Sequence, residues 1–260
     1  MKILVTGHKG FIGSNLLIYL SSDGHHVVGY EYGDGFPDVK GFDWVIHAGA
    51  ITSTTETNVE KITEQNILFS LDLLESCIKH KVNFQFSSSA SVYGLKNEFN
   101  IDSPVDPRTP YAWSKYFFEV MAKERMNDDI LIQIFRYFNV YGQYEERKGS
   151  QASPFCQFKQ QAVEHKKIKV FENSENYKRD FIHVNSVVNL HKRFFNVKES
   201  GLWNFGIGST MSFLEVAEFY KWPGVSIEVV PMPENLKNSY QTYTCADMSE
   251  TFKVLEKYGC

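Results

Sequence analysis

The sequence predicts an α/β fold: a doubly wound parallel sheet of the Rossmann type with a small C-terminal α/β lobe. Three observations predict it. Short β-branched runs alternate with helical stretches through the first half of the chain, a glycine-rich turn joins the first strand to the first helix, and beyond about Tyr141 the rhythm changes to longer loops and shorter strands. A strand that returns to the same sheet through a helix crosses over right-handed and arrives parallel.

The elements follow in order. MKILVTG is a strand ending in glycine, and FIGSNLLIYLSSDG places Phe11, Ile12, Leu16, Leu17 and Leu20 at helical spacing. HHVVGYE is a second strand, and FDWVIHAGA a third that ends in small residues. NILFSLDLLESCIKH is a long helix before the strand VNFQFSSS, and YAWSKYFFEVMAKERM is a helix before the strand ILIQIFRYFNV. The later chain offers the short strands IKVF and VSIEVV and a helix at SFLEVAEFY. Residues 1–145 are therefore expected to form the Rossmann domain, and 146–260 a substrate-binding lobe interleaved with late elements of the sheet. No internal repeat or low-complexity segment interrupts this pattern.

Bulk properties narrow the functional classes. With 260 residues, 43% of them apolar, the chain can bury a core for one large domain or a domain plus a lobe. The net charge of −4 gives no basic footprint for nucleic acid or a membrane surface. No apolar run approaches the ~18 residues of a membrane span. Cys77, Cys156, Cys245 and Cys260 show no paired spacing, so neither a metal site nor a disulfide framework is expected, and the absence of a leader pattern at the start fits a reducing cytoplasm.

The turn Gly7-His8-Lys9-Gly10-Phe11-Ile12-Gly13 lies between strand and helix. Glycines there make a tight turn, let backbone approach a pyrophosphate and bring helix close to strand, with the helix N-terminus facing the phosphate charge. Gly7, Gly10, Phe11, Ile12 and Gly13 are thus candidate contacts to NAD or NADP. Glu31 ends the second strand, where a carboxylate would bind the ribose hydroxyls and repel a 2′-phosphate, favouring NAD.

Tyr111 and Lys115 stand one helical turn apart on one face. Beside a nicotinamide, the ammonium and the positive ring would both favour tyrosinate, bringing the phenol towards working pH. FSSSASVYG ends a strand where an open α/β sheet presents its crevice, and Ser89 is the serine chosen to bond a substrate oxygen beside the tyrosine.

The glycine turn, HAGA, SSSASVYG, YxxxK and RYFNVYG together resemble the extended short-chain dehydrogenase/reductase family acting on nucleotide sugars, over most of the chain. The resemblance implies a tightly bound nicotinamide cofactor, a C-terminal lobe for a nucleotide-sugar substrate, and a homodimer or higher homo-oligomer through two long helices. Family 4,6-dehydratases carry an Asp-Glu pair after the catalytic Ser or Thr. Ala90-Ser91 stands there here, which sets elimination aside and leaves epimerisation or reduction.

Further segments, TSTTE from Thr52, RKGSQAS after RYFNVYG, FENSENYKRDFIHV, GLWNFGIG and SYQTYTCAD, resemble the ADP-L-glycero-D-manno-heptose 6-epimerases, whose pattern has a lysine in an HKGS-like loop. Lys148 falls on that lysine. An enzyme that oxidises a carbinol to a ketone and returns hydride to the other face needs proton transfer in two orientations. By resemblance Tyr111 serves one and Lys148 the other; the alternative for Lys148 is a phosphate or solvent contact. The resemblance also assigns Ala48, Gly49, Ala50, Asn66, Val140, Tyr111 and Lys115 to the cofactor. It assigns Ser89, Asn139, Ser150, Gln157, Phe171, Glu172, Asn173, Ser174, Arg179 and Tyr240 to the substrate, with Gln157 replacing a histidine. Arg179 suits a diphosphate; its alternative is an ion pair with Asp180 or Glu175.

Two departures mark this chain. GDGFPDVKGFD, between Glu31 and Trp44, is too short for the helix and strand the family carries there, so the sheet is expected to lack a strand and the NAD preference stays open. After CADMSETFKVLEKYG the amphipathic helix that the subgroup carries is not found. The readings that remain are a 6-epimerase of an ADP-heptose, as in lipopolysaccharide core assembly, a 4-epimerase or 4-reductase of a UDP-, GDP- or dTDP-hexose, and a noncatalytic NAD(P)-sensing module.

Overall fold

The computed structural model of the chain describes residues 1–53, 55–126, 129–234 and 241–260. In chain order the elements are β1 (Lys2–Thr6), α1 (Phe11–Ser22), β2 (His26–Tyr30), β3 (Trp44–His47), α2 (Val59–Ile62), a π-helical turn over Thr63–Leu68, α3 (Phe69–His80), β4 (Asn83–Ser89), a 3-10 turn over Ala90–Tyr93, α4 (Pro110–Lys123), β5 (Ile132–Tyr137) and β6 (Asn139–Tyr141). There follow a 3-10 segment over Glu145–Gln151, α5 (Pro154–His165), β7 (Lys167–Phe171), β8 (Lys178–Arg179), β9 (Phe181–His183), α6 (Val184–Phe194), β10 (Gly201–Phe205), β11 (Met211–Ser212), α7 (Phe213–Phe219), β12 (Ser226–Val230), β13 (Tyr243–Thr244) and α8 (Ser249–Lys257).

Six strands pair in parallel in the order β2-β1-β3-β4-β5-β10. The winding reverses between β1 and β3, which opens a crevice at their carboxyl ends, the place where doubly wound sheets bind ligands. Each face of the sheet is covered. Val45, Phe84, Phe86, Ile132 and Ile134 pack with Leu73 and Leu74 of α3 and Phe118 of α4. On the other side Val5 and Ile46 meet Leu16 and Leu20 of α1, while Phe135 and Phe205 meet Val187 and Phe194 of α6 and Val254 and Leu255 of α8. The chain thus returns to the first sheet through α6, β10 and α8 after β7, β8 and β9 have begun the lobe. In that lobe β12 pairs with β7, β8 lies between β11 and β13, and Phe155, Phe158, Ile168, Phe181, Val216 and Tyr220 form a separate core.

The elements differ from the sequence expectation in two places and match it in a third, the short passage after β2. The strand expected through ILIQIFRYFNV is broken at Phe138, whose N–H donates to the Phe205 carbonyl; Asn139–Tyr141 then leave the sheet to pair with β9. Helical structure begins at Val59, well before Asn66, because the Asn58 side chain accepts from the Lys61 N–H and caps it. Between Tyr30 and Trp44 there is no helix or strand, so β2 is the outer strand. In their place the rings of Tyr30, Tyr32 and Phe36 gather on Phe69, at centroid distances of 5.7, 5.3 and 5.8 Å. No helix among the described residues is long and apolar enough to cross a membrane.

Candidate active site

A cavity of about 800 Å³ opens at the carboxyl ends of β1, β3, β4 and β5 and is closed on the far side by the segment around Lys148. Its first wall is the glycine turn. Gly7 has φ +68°, and a Cβ there would stand 2.5 Å from the Gly49 Cα; a Cβ on Gly13 would stand 2.1 Å from the Gly7 carbonyl oxygen. Neither position admits a side chain, because backbone is packed on backbone. Helix α1 starts at Gly10 with no side-chain cap and no acidic residue in its first turn, which suits a pyrophosphate. Glu31 lines the same cavity and accepts from the Lys9 N–H at 3.2 Å. The residues present fit a nicotinamide dinucleotide.

Ala48, Gly49 and Ala50 also line the cavity, but Asn66 stands behind them. It is buried, its Oδ1 accepting from the Ile51 N–H at 2.8 Å and its Nδ2 donating to the Ile51 carbonyl at 3.0 Å and to Ser114 Oγ at 3.1 Å. A hydrogen-bonded chain runs on from it. Ser70 donates to the Asn66 carbonyl and so accepts from His47 Nε2, leaving His47 Nδ1 to accept from Thr6 Oγ1, which accepts in turn from the Gly49 N–H. Ser114 donates to the Tyr111 carbonyl. Asn66 therefore ties the wall at residues 48–51 to α4 and does not itself line the cavity.

Helix α4 begins with Thr109, whose side chain accepts from the Ala112 N–H, and Pro110, preset for a helical first turn. This start places Tyr111 at the cavity, beside Ser89. Lys115 is 3% exposed and does not line the cavity. Its Nζ donates to the Ser87 carbonyl at 2.8 Å and lies 5.9 Å from the centre of the Tyr111 ring. Burial raises the Tyr111 phenol above its ordinary range, with Ser89 opposing, and pushes Lys115 down to about 7, with Glu119 opposing. Without a cofactor, the chain's own groups disfavour both charged forms, because desolvation is the largest cause at each.

Beneath Lys115 lies a charged floor. Glu119 and Arg136 are 1% and 2% exposed, with Arg136 Nη2 donating to Glu119 Oε2 at 2.7 Å and Ser88 Oγ to Glu119 Oε1 at 2.5 Å. On the opposite face of β4 and β5 the polar groups are neutral. Gln85 donates to Gln133 and to the His191 carbonyl, so its oxygen faces His191 Nδ1, which carries the proton. His191 Nε2 is then the acceptor for the Tyr137 hydroxyl, which also bonds Ser87 Oγ at 2.8 Å. Burial holds His191 and His47 down to about 3, neutral in the folded chain.

The third wall comes from the later chain. Asn139, Val140, Lys148 and Arg179 line the cavity. Lys148 is half-buried, and burial lowers its ammonium while Glu145 opposes. Arg179 donates to the carbonyls of Lys178 and Gln241, while the Asp180 carboxylate accepts from the N–H groups of Ile207, Gly208 and Ala246. Ser150, Gln157, Phe171, Glu172, Asn173 and Ser174 do not line the cavity. Gln157 Nε2 donates to the Ala152 carbonyl at 2.6 Å and to the Ser150 carbonyl at 3.3 Å, bracing the loop. Tyr240 lies outside the described residues. The sequence reading missed Lys9, Ser88, Tyr137, Arg147 and Gln241 in the cavity wall, although all five stood inside stretches already quoted.

Comparison with known proteins agrees with this geometry. The sequence model described as the NAD dependent epimerase/dehydratase family matches residues 3–206. An ADP-L-glycero-D-manno-heptose-6-epimerase from Brachyspira hyodysenteriae is 32% identical, covering 95% of this chain and 90% of its own length. Among solved structures, an ADP-L-glycero-D-manno-heptose-6-epimerase from Helicobacter pylori superposes with a TM-score of 0.87 at 25% identity, over 99% of this chain and 90% of that one. A UDP-N-acetylglucosamine 4-epimerase from Methanobrevibacter ruminantium shares the fold at a TM-score of 0.87 and 21% identity, over 97% and 91%.

Proposed function

The chain belongs to the NAD dependent epimerase/dehydratase family, and from that premise we propose that it inverts C6 of an ADP-glycero-manno-heptose by transient oxidation and re-reduction. The observation that carries the reading is that two proton-transfer groups, Tyr111 and Lys148, reach one cavity from separate elements. Bound NAD(P) supplies the hydride acceptor and donor and, when oxidised, a positive charge that favours tyrosinate. Tyr111, beside Ser89, exchanges the hydroxyl proton in one orientation of the sugar; Lys148 exchanges it in the other. Lys115 steadies Tyr111 from behind, and Arg179 with Asn139 faces the nucleotide part of the substrate. Glu31 in the cavity wall supports NAD over NADP, because a carboxylate repels a 2′-phosphate. Helix α4 leaves Trp113, Phe117, Val120 and Met121 exposed at helical spacing, which supports a homodimer through this helix.

The test is incubation of the cofactor-loaded protein with ADP-D-glycero-D-manno-heptose, following C6 by proton NMR with no added reductant. The L-glycero epimer is expected to appear without net cofactor consumption, and Lys148→Met to abolish it in a folded, cofactor-loaded protein. Conversion of a UDP-, GDP- or dTDP-hexose at C4 instead would replace the reading with a 4-epimerase; stoichiometric consumption of NAD(P)H would replace it with a reductase, and no turnover on any of them with a noncatalytic module.

A further inference from the structure

Lys148 has no regular helix to hold it, and its place depends on a side chain that no motif singled out. Glu145 is 1% exposed. One carboxylate oxygen accepts from the Ser153 N–H at 2.6 Å; the other accepts from Ser153 Oγ at 2.9 Å and, at a longer 3.4 Å, from the Gly142 N–H. The carboxylate thus draws the two ends of the 142–153 segment together around itself. Glu145 and Lys148 are three residues apart in a 3-10 turn, a spacing that eclipses their side chains on one side. Gly149, at φ +53°, then reverses the chain directly after the lysine.

Further bonds fasten the same segment from outside. Asn15 Nδ2 of α1 donates to the Gln143 carbonyl at 2.8 Å, and Arg147 Nη1 donates to the Lys9 carbonyl in the glycine turn at 3.1 Å. Lys148 Nζ is left 5.8 Å from the centre of the Phe11 ring. The titratable groups that face it are Glu145 from its own turn and the Cys156 thiol from α5, while α1 presents the apolar Phe11.

We propose that Glu145 is the positioning residue for proton transfer at Lys148: one buried carboxylate sets where the amine stands and how firmly it holds its proton. The inference rests on the reading of Lys148 as the second acid/base. Burial weakens that amine's hold on its proton. A carboxylate on the same side opposes that weakening and favours the protonated form, which suits a group that must work in both directions of an epimerisation.

The experiment titrates Lys148 by NMR of the cofactor-loaded protein after reductive ¹³C-methylation of its lysines, the resonance being assigned by its loss in Lys148→Met. Glu145→Gln keeps the shape and removes the charge; it is expected to lower the Lys148 midpoint by about one pH unit and to move the pH–rate profile of epimerisation the same way. Glu145→Asp, which keeps the charge, should restore most of both. An unmoved midpoint and profile in folded Glu145→Gln overturn the inference. Epimerisation that survives Lys148→Met overturns the reading beneath it, whatever Glu145 does. If Glu145→Gln does not fold, Ser153→Ala carries the test: it loosens the carboxylate without removing it, so kcat should fall several-fold with the midpoint near wild type, and an unchanged kcat sinks the proposal.

Discussion

Strands β4 and β5 are polar on both faces at the level of the active site, but in opposite ways. Towards α4, Ser88 and Arg136 join Glu119 and Lys115 in a set of buried charges. Towards α6, Gln85, Gln133, Tyr137 and His191 form a column of neutral groups whose donors and acceptors are matched. Alternation along a strand sends adjacent residues to opposite faces, so Ser87 and Ser88 belong to different networks. A buried ion pair is weak as a source of stability, since desolvation cancels most of its attraction. Among the described residues the buried charges of these strands lie on the side of Lys115, while the other side is neutral and matched. Ser87 joins the two: its hydroxyl bonds Tyr137 and its carbonyl receives Lys115.

The sharpest way to break this contrast is Tyr111→Phe, which should lower epimerisation by about 10²–10⁴-fold with cofactor still bound. Next in size, Arg136→Met alone strands the Glu119 carboxylate and should cost about 3–5 kcal/mol in denaturant unfolding. Adding Glu119→Leu should recover most of that stability while turnover stays depressed; full recovery of both would make the charged side purely structural. On the neutral side, Tyr137→Phe leaves His191 Nε2 without its donor and should cost about 1–3 kcal/mol.

The smallest effect is a pH slope. His47 and His191 are held at about 3 when folded, against an ordinary value near 6.5, so the unfolded chain binds more protons between those limits. Their contribution to stability is complete above about pH 6.5 and is lost as pH falls, by about 1.4 kcal/mol per unit for each histidine. His191→Asn should remove one of the two increments, as read from urea midpoints between pH 7 and 5.

What could be read from the sequence was whatever is local. The glycine turn, the Tyr111–Lys115 spacing and the strand and helix alternation are each written within a dozen residues, and the described residues place them as read. Arg136 and Glu119 form a pair only through the register of β5 against α4, and the bond from Asn15 to the Gln143 carbonyl joins positions far apart in the chain. No short pattern records such partners. Glu145 was hidden for another reason: beside Glu146 and Arg147 it reads as one more solvated charge, and only the fold shows that the loop closes around it. Gln157 looked like a ligand position, yet its amide holds the Ala152 carbonyl.

The short passage from Glu31 to Asp43 leaves β2 as the sheet's margin, with one hydrogen-bonded neighbour. An inner strand could not be deleted without severing two ladders and opening the core, whereas anything once laid outside β2 would have cost a single ladder to remove. The rim is therefore where the sheet best tolerates loss of a segment, and where an engineer would splice one in. A backbone edge so exposed invites a foreign strand; a run of only five residues, flanked by the aromatic cluster on Phe69, offers such a strand little to grip.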